Sequence, residues 1–179
     1  VMDDLARREM TAEGFPGERI VITGNPHFES FKTYPRVPKL GWNKIAFIDQ
    51  HISELTARGI HENMGFDEKE VFSGLLRALK ELNFKGTVNL RFHPGSKDRT
   101  RYDSMIKKSP IRVKKVSLDV PLRKFLTAVR IVVGMTSMAL FEASLGGKLV
   151  LSYQPHPKRK VDPFISNRLG LSHFAYSYQ

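Results

Sequence analysis

Short apolar runs alternate with amphipathic stretches through most of this chain. From residue 44 onward the runs KIAFID, TVNLRFH, IRVKKV, RIVVG and KLVLSY have the composition of β-strands, and the apolar spacing between them indicates helices. The pattern predicts strands over 44–49, 87–93, 111–116, 130–134 and 148–153, and helices over 67–82, 99–107, 121–128 and 136–146.

The helix predicted over 67–82 carries the clearest local signals. Asp67 and Glu70 match an N-terminal capping box. A single helical stripe then collects five apolar residues: Val71, Leu75, Leu76, Leu79 and Leu82. We therefore expect this helix to pack one face on a core.

Strands separated by helices imply right-handed crossovers. The predicted fold class is therefore a Rossmann-like α/β domain, with a mainly parallel sheet and helices on both faces. Ligands of such sheets bind beyond the carboxyl ends of the strands. The positions of interest are those that follow the strands: 50–51, 93–96, 117–119, 134–137 and 154–156.

The first 42 residues do not follow this alternation. Residues 3–14 have helical composition, Arg19–Thr23 reads as a short strand, and 28–42 mixes prolines with polar residues like a linker. We expect 1–42 to be the end of a preceding domain plus a linker, and 43–179 to be the Rossmann-like domain. Because the sequence starts at Val1 rather than Met, we expect a fragment of a longer protein.

Composition narrows the classes of function. The chain has no Cys and its six His match no usual zinc spacing, so we expect no metal and no disulfide. No apolar run approaches the roughly 20 residues that span a bilayer. A net charge of +11 favours an anionic partner, either a nucleotide, a nucleic acid or a membrane surface.

The stretch from Gly134 to Pro155 carries the strongest candidate site. A buried strand ends at Gly134, and the turn Met135-Thr136-Ser137 opens a helix whose free N–H groups and dipole suit a diphosphate. Glu142 follows roughly 9 Å along the helix axis, where a ribose could meet its carboxylate. Capping alone explains Thr136 and Ser137 equally simply, and a solvated helix face explains Glu142.

Two further positions are candidates. His93 ends the predicted strand 87–93 and precedes the turn Pro94-Gly95, so that it could donate to a phosphate or a leaving-group oxygen, unless neighbouring backbone satisfies it. Asn25, in the turn Gly24-Asn25-Pro26, is either structural or close to a ligand cleft.

Basic residues form two runs, which are either a solvated surface or a face for an anionic membrane. They lack the interleaved aromatic residues of single-stranded nucleic-acid platforms. The first run comprises Lys97, Arg99, Arg101, Lys107, Lys108, Arg112, Lys114 and Lys115; the second comprises Lys158, Arg159 and Lys160.

Four segments together resemble the C-terminal domain of GT-B fold glycosyltransferases and their relatives, which include capsule and teichoic-acid polymer transferases, lipid-A-disaccharide synthases and UDP-N-acetylglucosamine 2-epimerases. They are GNPHF at 24–28, RFHPG at 91–95, LRKFLTAVRIVVGMTS at 122–137 and FEASLGGKLVLSYQP at 141–155. The Ser-Gly-Gly turn and doubled Glu of the epimerases, and the Asp-Tyr-Ser-Ser turn of the polymer transferases, are absent.

The resemblance implies that this half binds a nucleoside diphosphate-sugar, with the substrate at Asn25, Gly134, Met135, Thr136, Ser137 and Glu142. His93 is then the catalytic residue, at the donor phosphates. The implied reaction is sugar transfer to a carbohydrate or lipid-linked acceptor in surface polysaccharide synthesis. Apart from the resemblance, we expect a cytoplasmic protein, either free or peripheral at the inner face of the membrane, that uses no cofactor. The acceptor site and base are expected in a missing N-terminal domain. An epimerase half, or a basic domain for nucleic acid or membrane, is the alternative.

Overall fold

A computed structural model describes residues 1–29, 42–158 and 160–177 of this protein. The chain divides into two compact units, Val1–Tyr34 and Pro35–Gln179. Most of the predicted linker lies outside the described residues, so the domain boundary after residue 42 stays a prediction.

The first unit contains α1 (Asp4–Ala12), a 3-10 turn (Gly17–Arg19) and α2 (Pro26–Glu29). Asp3 caps α1, since its carboxylate accepts from the Ala6 N–H at 2.8 Å. The short strand predicted over Arg19–Thr23 is wrong, because residues 20–25 have no regular structure. Val21 is 68% exposed there, and without a neighbouring strand in this unit's described residues an apolar run cannot form a sheet.

The second unit is built on a six-stranded parallel sheet, which confirms the predicted Rossmann-like α/β fold. Its strands are β1 (Lys44–Ile48), β2 (Thr87–Arg91), β3 (Arg112–Val116), β4 (Ile131–Gly134), β5 (Leu149–Tyr153) and β6 (His173–Ala175). The spatial order is β3-β2-β1-β4-β5-β6, and every neighbouring pair is parallel. The order therefore reverses between β1 and β4, which is where such sheets open a crevice.

Six helices connect the strands within the described residues of the second unit. Because crossovers are right-handed, the helices between β1 and β3 and those that follow β3 cover opposite faces. They are α3 (Ile52–Ala57), α4 (Glu68–Glu81), α5 (Asp103–Lys108), α6 (Leu122–Thr127), α7 (Met138–Leu145) and α8 (Ile165–Arg168).

Helix α4 forms as the sequence predicts. Asp67 is its N-cap and accepts from the N–H groups of Lys69 and Glu70, both at 2.8 Å. The predicted stripe is buried from Val71 to Leu79, and it packs with Phe47 and Leu90 of the central strands. Leu82 is the exception, because the helix ends one residue earlier and leaves it 77% exposed.

Candidate functional site

The crevice between β1 and β4 holds a cavity at the carboxyl ends of the strands. Asp49, Gln50 and His51 follow β1, and the turn 135–137 follows β4. The cavity measures about 390 Å³, and its lining comprises Gln50, His51, Ile52, Leu55, His61, Met64, His93, Thr136, Ser137, Met138 and Pro163. The structure thus brings together three of the predicted site residues, Thr136, Ser137 and His93.

Gln50 forms hydrogen bonds across this crevice, from the segment after β1 to the turn after β4. Its Oε1 accepts from the backbone N–H of Thr136 at 2.7 Å, and its Nε2 donates to the Thr136 hydroxyl at 3.2 Å. The Thr136 N–H is therefore already hydrogen-bonded. Gln50 follows a predicted strand, but no local pattern in the sequence pairs it with a turn 86 residues away.

Ser137 stands at the start of α7 as its N-cap residue, yet its side chain makes no capping hydrogen bond. Its Oγ is buried and has no hydrogen-bond partner among the described residues. Buried hydroxyl groups without a partner are uncommon and costly. Because Ser137 lines the cavity at the positive end of the α7 dipole, its hydroxyl and the first N–H groups of α7 suit an anion.

Gly134 and Met135, both predicted to bind substrate, have packing roles in this structure. A Cβ at Gly134 would lie 2.7 Å from Leu140 Cδ1 and 2.9 Å from the Ile48 carbonyl oxygen, so only glycine allows α7 and β1 this close. The Met135 side chain is fully buried, and its carbonyl accepts from the Ser152 hydroxyl at 2.5 Å. Met135 lines neither of the cavities described here, so ligand binding by this residue stays a prediction.

His93 lies at the end of β2, with its ring 4.2 Å from that of His51. Its Nδ1 accepts from the Gly95 N–H at 3.0 Å, which leaves the proton of the neutral ring on Nε2. Burial lowers the pKa of His93 below the ordinary 6.5, His51 lowers it further, and the charge of Asp49 opposes both. His93 is therefore a neutral hydrogen-bond donor at neutral pH.

A second cavity of about 210 Å³ adjoins the first, since His93, Ser137 and Met138 line both. Arg91 also lines it, and its guanidinium donates to the Val120 carbonyl at 2.7 Å. Arg91 is the last residue of β2, so its position on the sheet brings a positive charge beside the residues that suit an anion. Sequence analysis did not select it.

Two further predicted site residues are Glu142, on α7, and Asn25, in the first unit. Glu142 is half-buried on α7, but it is not among the residues that line either cavity. Asn25 belongs to the first unit, where its Oδ1 accepts from the His27 N–H at 3.0 Å at the start of α2. Ligand binding by these two residues stays a prediction.

The basic runs do not form one continuous exposed face. Arg101 was predicted to belong to an exposed basic run, and this is wrong. Its side chain is 4% exposed and forms an ion pair with the fully buried Glu68 at 2.5 Å. Lys115 bonds the carboxylate of Asp103 at the surface. Arg159 lies outside the described residues. The remaining basic residues of both runs are exposed: Lys97, Arg99, Lys107, Lys108, Arg112, Lys114, Lys158 and Lys160.

Neither a metal centre nor a membrane span is found in the part of the chain that the structure describes. Three His line the cavity between β1 and β4. Among the described residues, however, no group of His and acidic side chains has the geometry to bind a metal ion. No helix within the described ranges is long and apolar enough to cross a bilayer.

Comparisons with known proteins address the fold. No protein-family model matches the sequence, and neither does any curated protein. The chain is similar to the UDP-GlcNAc 2-epimerase of Methanocaldococcus jannaschii in complex with UDP-GlcNAc and UDP, with a TM-score of 0.58 and 11% identity over 97% of this chain and 48% of that one.

It is also similar to the KpsC β-Kdo 2,7 transferase of Thermosulfurimonas dismutans, with a TM-score of 0.50 and 18% identity over 99% of this chain and 48% of that one. The chain thus spans about half the length of each structure. Both are GT-B fold enzymes, which confirms the resemblance at the level of the fold. This chain has the Rossmann-like fold of one half of a GT-B enzyme.

Proposed function

We propose that this chain binds a nucleoside diphosphate-sugar in the cavity between β1 and β4, with the diphosphate at the start of α7. The observation that carries the proposal is the buried Ser137 hydroxyl, which lines the cavity and has no partner among the described residues. A phosphate oxygen would accept from that hydroxyl and from the first N–H groups of α7. An apolar ligand would leave the hydroxyl unsatisfied.

His93 completes the anion site in this proposal. Its neutral ring carries the proton on Nε2 and lines the same cavity as Ser137. A donor at that place stabilises the charge that develops on a departing diphosphate, which is the main way such enzymes lower the barrier. Glu142 keeps its predicted role at the ribose hydroxyls, although it lines neither cavity.

The reaction we propose is sugar transfer to a carbohydrate or lipid-linked acceptor. The bond between the sugar carbon and the phosphate oxygen breaks, a bond to an acceptor oxygen forms, and a base takes the acceptor's proton. That base and the acceptor site belong to the other half of the enzyme. In support, both structures of similar fold are enzymes of sugars, and each is about twice as long as this chain.

A thermal-shift panel tests this proposal. UDP, CDP, GDP and ADP, their nucleoside monophosphates and the parent nucleosides are each added to the chain. At least one phosphorylated nucleotide should raise the unfolding midpoint, because a ligand of the folded state stabilises it by mass action. The nucleosides serve as controls at the same concentration. Equal shifts of the unfolding midpoint with nucleoside and nucleotide would contradict the proposed phosphate site.

A nucleotide-sugar epimerase is the second candidate, because one similar structure is an epimerase with UDP-GlcNAc and UDP. The full-length enzyme distinguishes the two. A transferase consumes nucleotide-sugar only when an acceptor is present. An epimerase interconverts the sugar without one, which would overturn the transfer reaction while leaving the donor site in place.

We also propose that the exposed basic residues contact an anionic membrane surface. The cavity at the amino ends of β2 and β3, of about 510 Å³, supports this, since Lys80, Lys85 and Arg112 line it without a carboxylate. Each lysine or arginine near acidic lipid contributes about 1 kcal/mol. The chain should therefore sediment with phosphatidylglycerol vesicles and not with phosphatidylcholine vesicles, and equal sedimentation with both would contradict this contact.

A further inference from the structure

Asp49 is a buried carboxylate directly behind His93. Its side chain is fully buried between the ends of β1 and β2, where its own N–H continues the ladder by donating to the Arg91 carbonyl at 2.9 Å. The Oδ2 accepts from the Ser96 hydroxyl at 2.9 Å and from the His93 backbone N–H at 3.3 Å. The two ends of the turn 93–96 thus bond one carboxylate oxygen.

The other carboxylate oxygen accepts from the hydroxyl of Tyr102. Each of these groups donates to Asp49, and donors on both carboxylate oxygens favour its ionised form. Burial raises the pKa of Asp49, while the bonds from Tyr102 and Ser96 and the charge of Arg101 counteract the rise. Burying such a charge costs free energy. Replacing the carboxylate alone also destabilises the fold, because its donors are then left without an acceptor.

The turn that carries His93 depends on this carboxylate. Within the turn, the Ser96 N–H donates to the His93 carbonyl at 2.9 Å, and the Gly95 N–H donates to the His93 ring. These bonds shape the turn but do not attach it to β1. The bonds to Asp49 do, and they hold His93 at the end of the strand that neighbours β1.

We propose that Asp49 is the positioning residue of His93: its carboxylate fixes the 93–96 turn against β1 and places a negative charge behind the imidazole. This inference rests on the proposed role of His93 at the donor phosphates. Asp49 itself lines only the smaller cavity and acts through the histidine. Its charge opposes the effects of burial and of His51 on the ring.

Asp49→Asn is the direct test, read by an NMR titration of the His93 ring that His93→Gln assigns. Asparagine keeps the size of the side chain but removes the charge, so the His93 midpoint should fall by about half a pH unit or more. Tyr102→Phe is the matched control, because it removes one bond and keeps the charge. An unchanged His93 midpoint in folded Asp49→Asn would overturn the proposal.

Ser96→Ala keeps the test decisive if Asp49→Asn does not fold. It removes one of the two bonds that attach the turn, so the His93 backbone amide should exchange with solvent several-fold faster, and unchanged exchange would overturn the proposal. Neither NMR readout requires a nucleotide. If UDP and the other nucleotides fail to bind while the midpoint falls and exchange accelerates, the positioning role stands and the proposed function fails.

Discussion

Gln50 bonds Thr136 twice across the crevice between β1 and β4, once at the backbone N–H and once at the hydroxyl. A carboxylate in place of this amide would put a negative charge at the entrance of the proposed diphosphate site. Gln50→Glu should therefore weaken binding of a nucleoside diphosphate at least tenfold, which is ~1.4 kcal/mol. Calorimetric titration measures this. Gln50→Met is the uncharged control, and equal affinities of the two variants would contradict the repulsion.

Ser137→Ala should separate stability from binding. The Oγ makes no hydrogen bond to any described residue, so its removal leaves no partner unsatisfied and the free energy of unfolding should stay the same or rise slightly. Affinity for the nucleotide should fall about three- to tenfold, the worth of one hydrogen bond. Urea unfolding and calorimetry give the two values. A destabilised variant with unchanged affinity would mean that the hydroxyl is structural.

The chain should become less stable as the pH falls, because His93 binds a proton more readily in the unfolded state. Burial and His51 lower its folded pKa below the ordinary 6.5, and Asp49 only partly offsets them, so as pH falls the unfolded chain takes up the proton first. The folded state therefore loses stability from about pH 6.5 downward. His93→Gln cannot take up this proton, so its unfolding midpoint should drop less than that of the wild type between pH 7.5 and 5.5. Identical drops would contradict the lowered pKa.

Arg101 and Lys107 should differ sharply although both belong to the first basic run. Arg101→Met leaves the fully buried Glu68 without its ion-pair partner, and breaking a buried pair from one side costs about 3 kcal/mol or more. Lys107 is exposed, so Lys107→Met should change the free energy of unfolding by less than about 0.5 kcal/mol. Denaturant unfolding compares the two variants, and equal effects would refute the buried pair.

Elements with strong periodicity were predictable from sequence, and pairings between distant residues were not. Helix α4 could be predicted because Asp67 caps its start and its apolar residues form one stripe. The elements α3, α8 and β6 were not predicted; α8 and β6 have only four and three residues, too few to show a period.

For the same reason, only part of the candidate site could be predicted from the sequence. His93, Thr136 and Ser137 could be selected because each lies at the end of a predicted strand or just after it. Asp49 could not, since an aspartate that ends an apolar strand has no local feature that shows what it bonds. Arg101 was grouped with surface charges because its partner Glu68 is 33 residues away.

The strand order decides where these residues meet. Local patterns predict parallel strands, but they do not show that β1 lies between β2 and β4. That arrangement brings the residues after three strands to one cavity, where we expect the ligand to bind.

Mapping of backbone amide shifts by NMR tests that location most directly. The nucleoside diphosphate with the largest thermal shift is titrated into the labelled chain. The largest saturable changes should appear at Gln50, His93 and residues 136–138, around the cavity between β1 and β4. Changes confined to Gly86 and Arg112, at the amino ends of β2 and β3, would contradict the account.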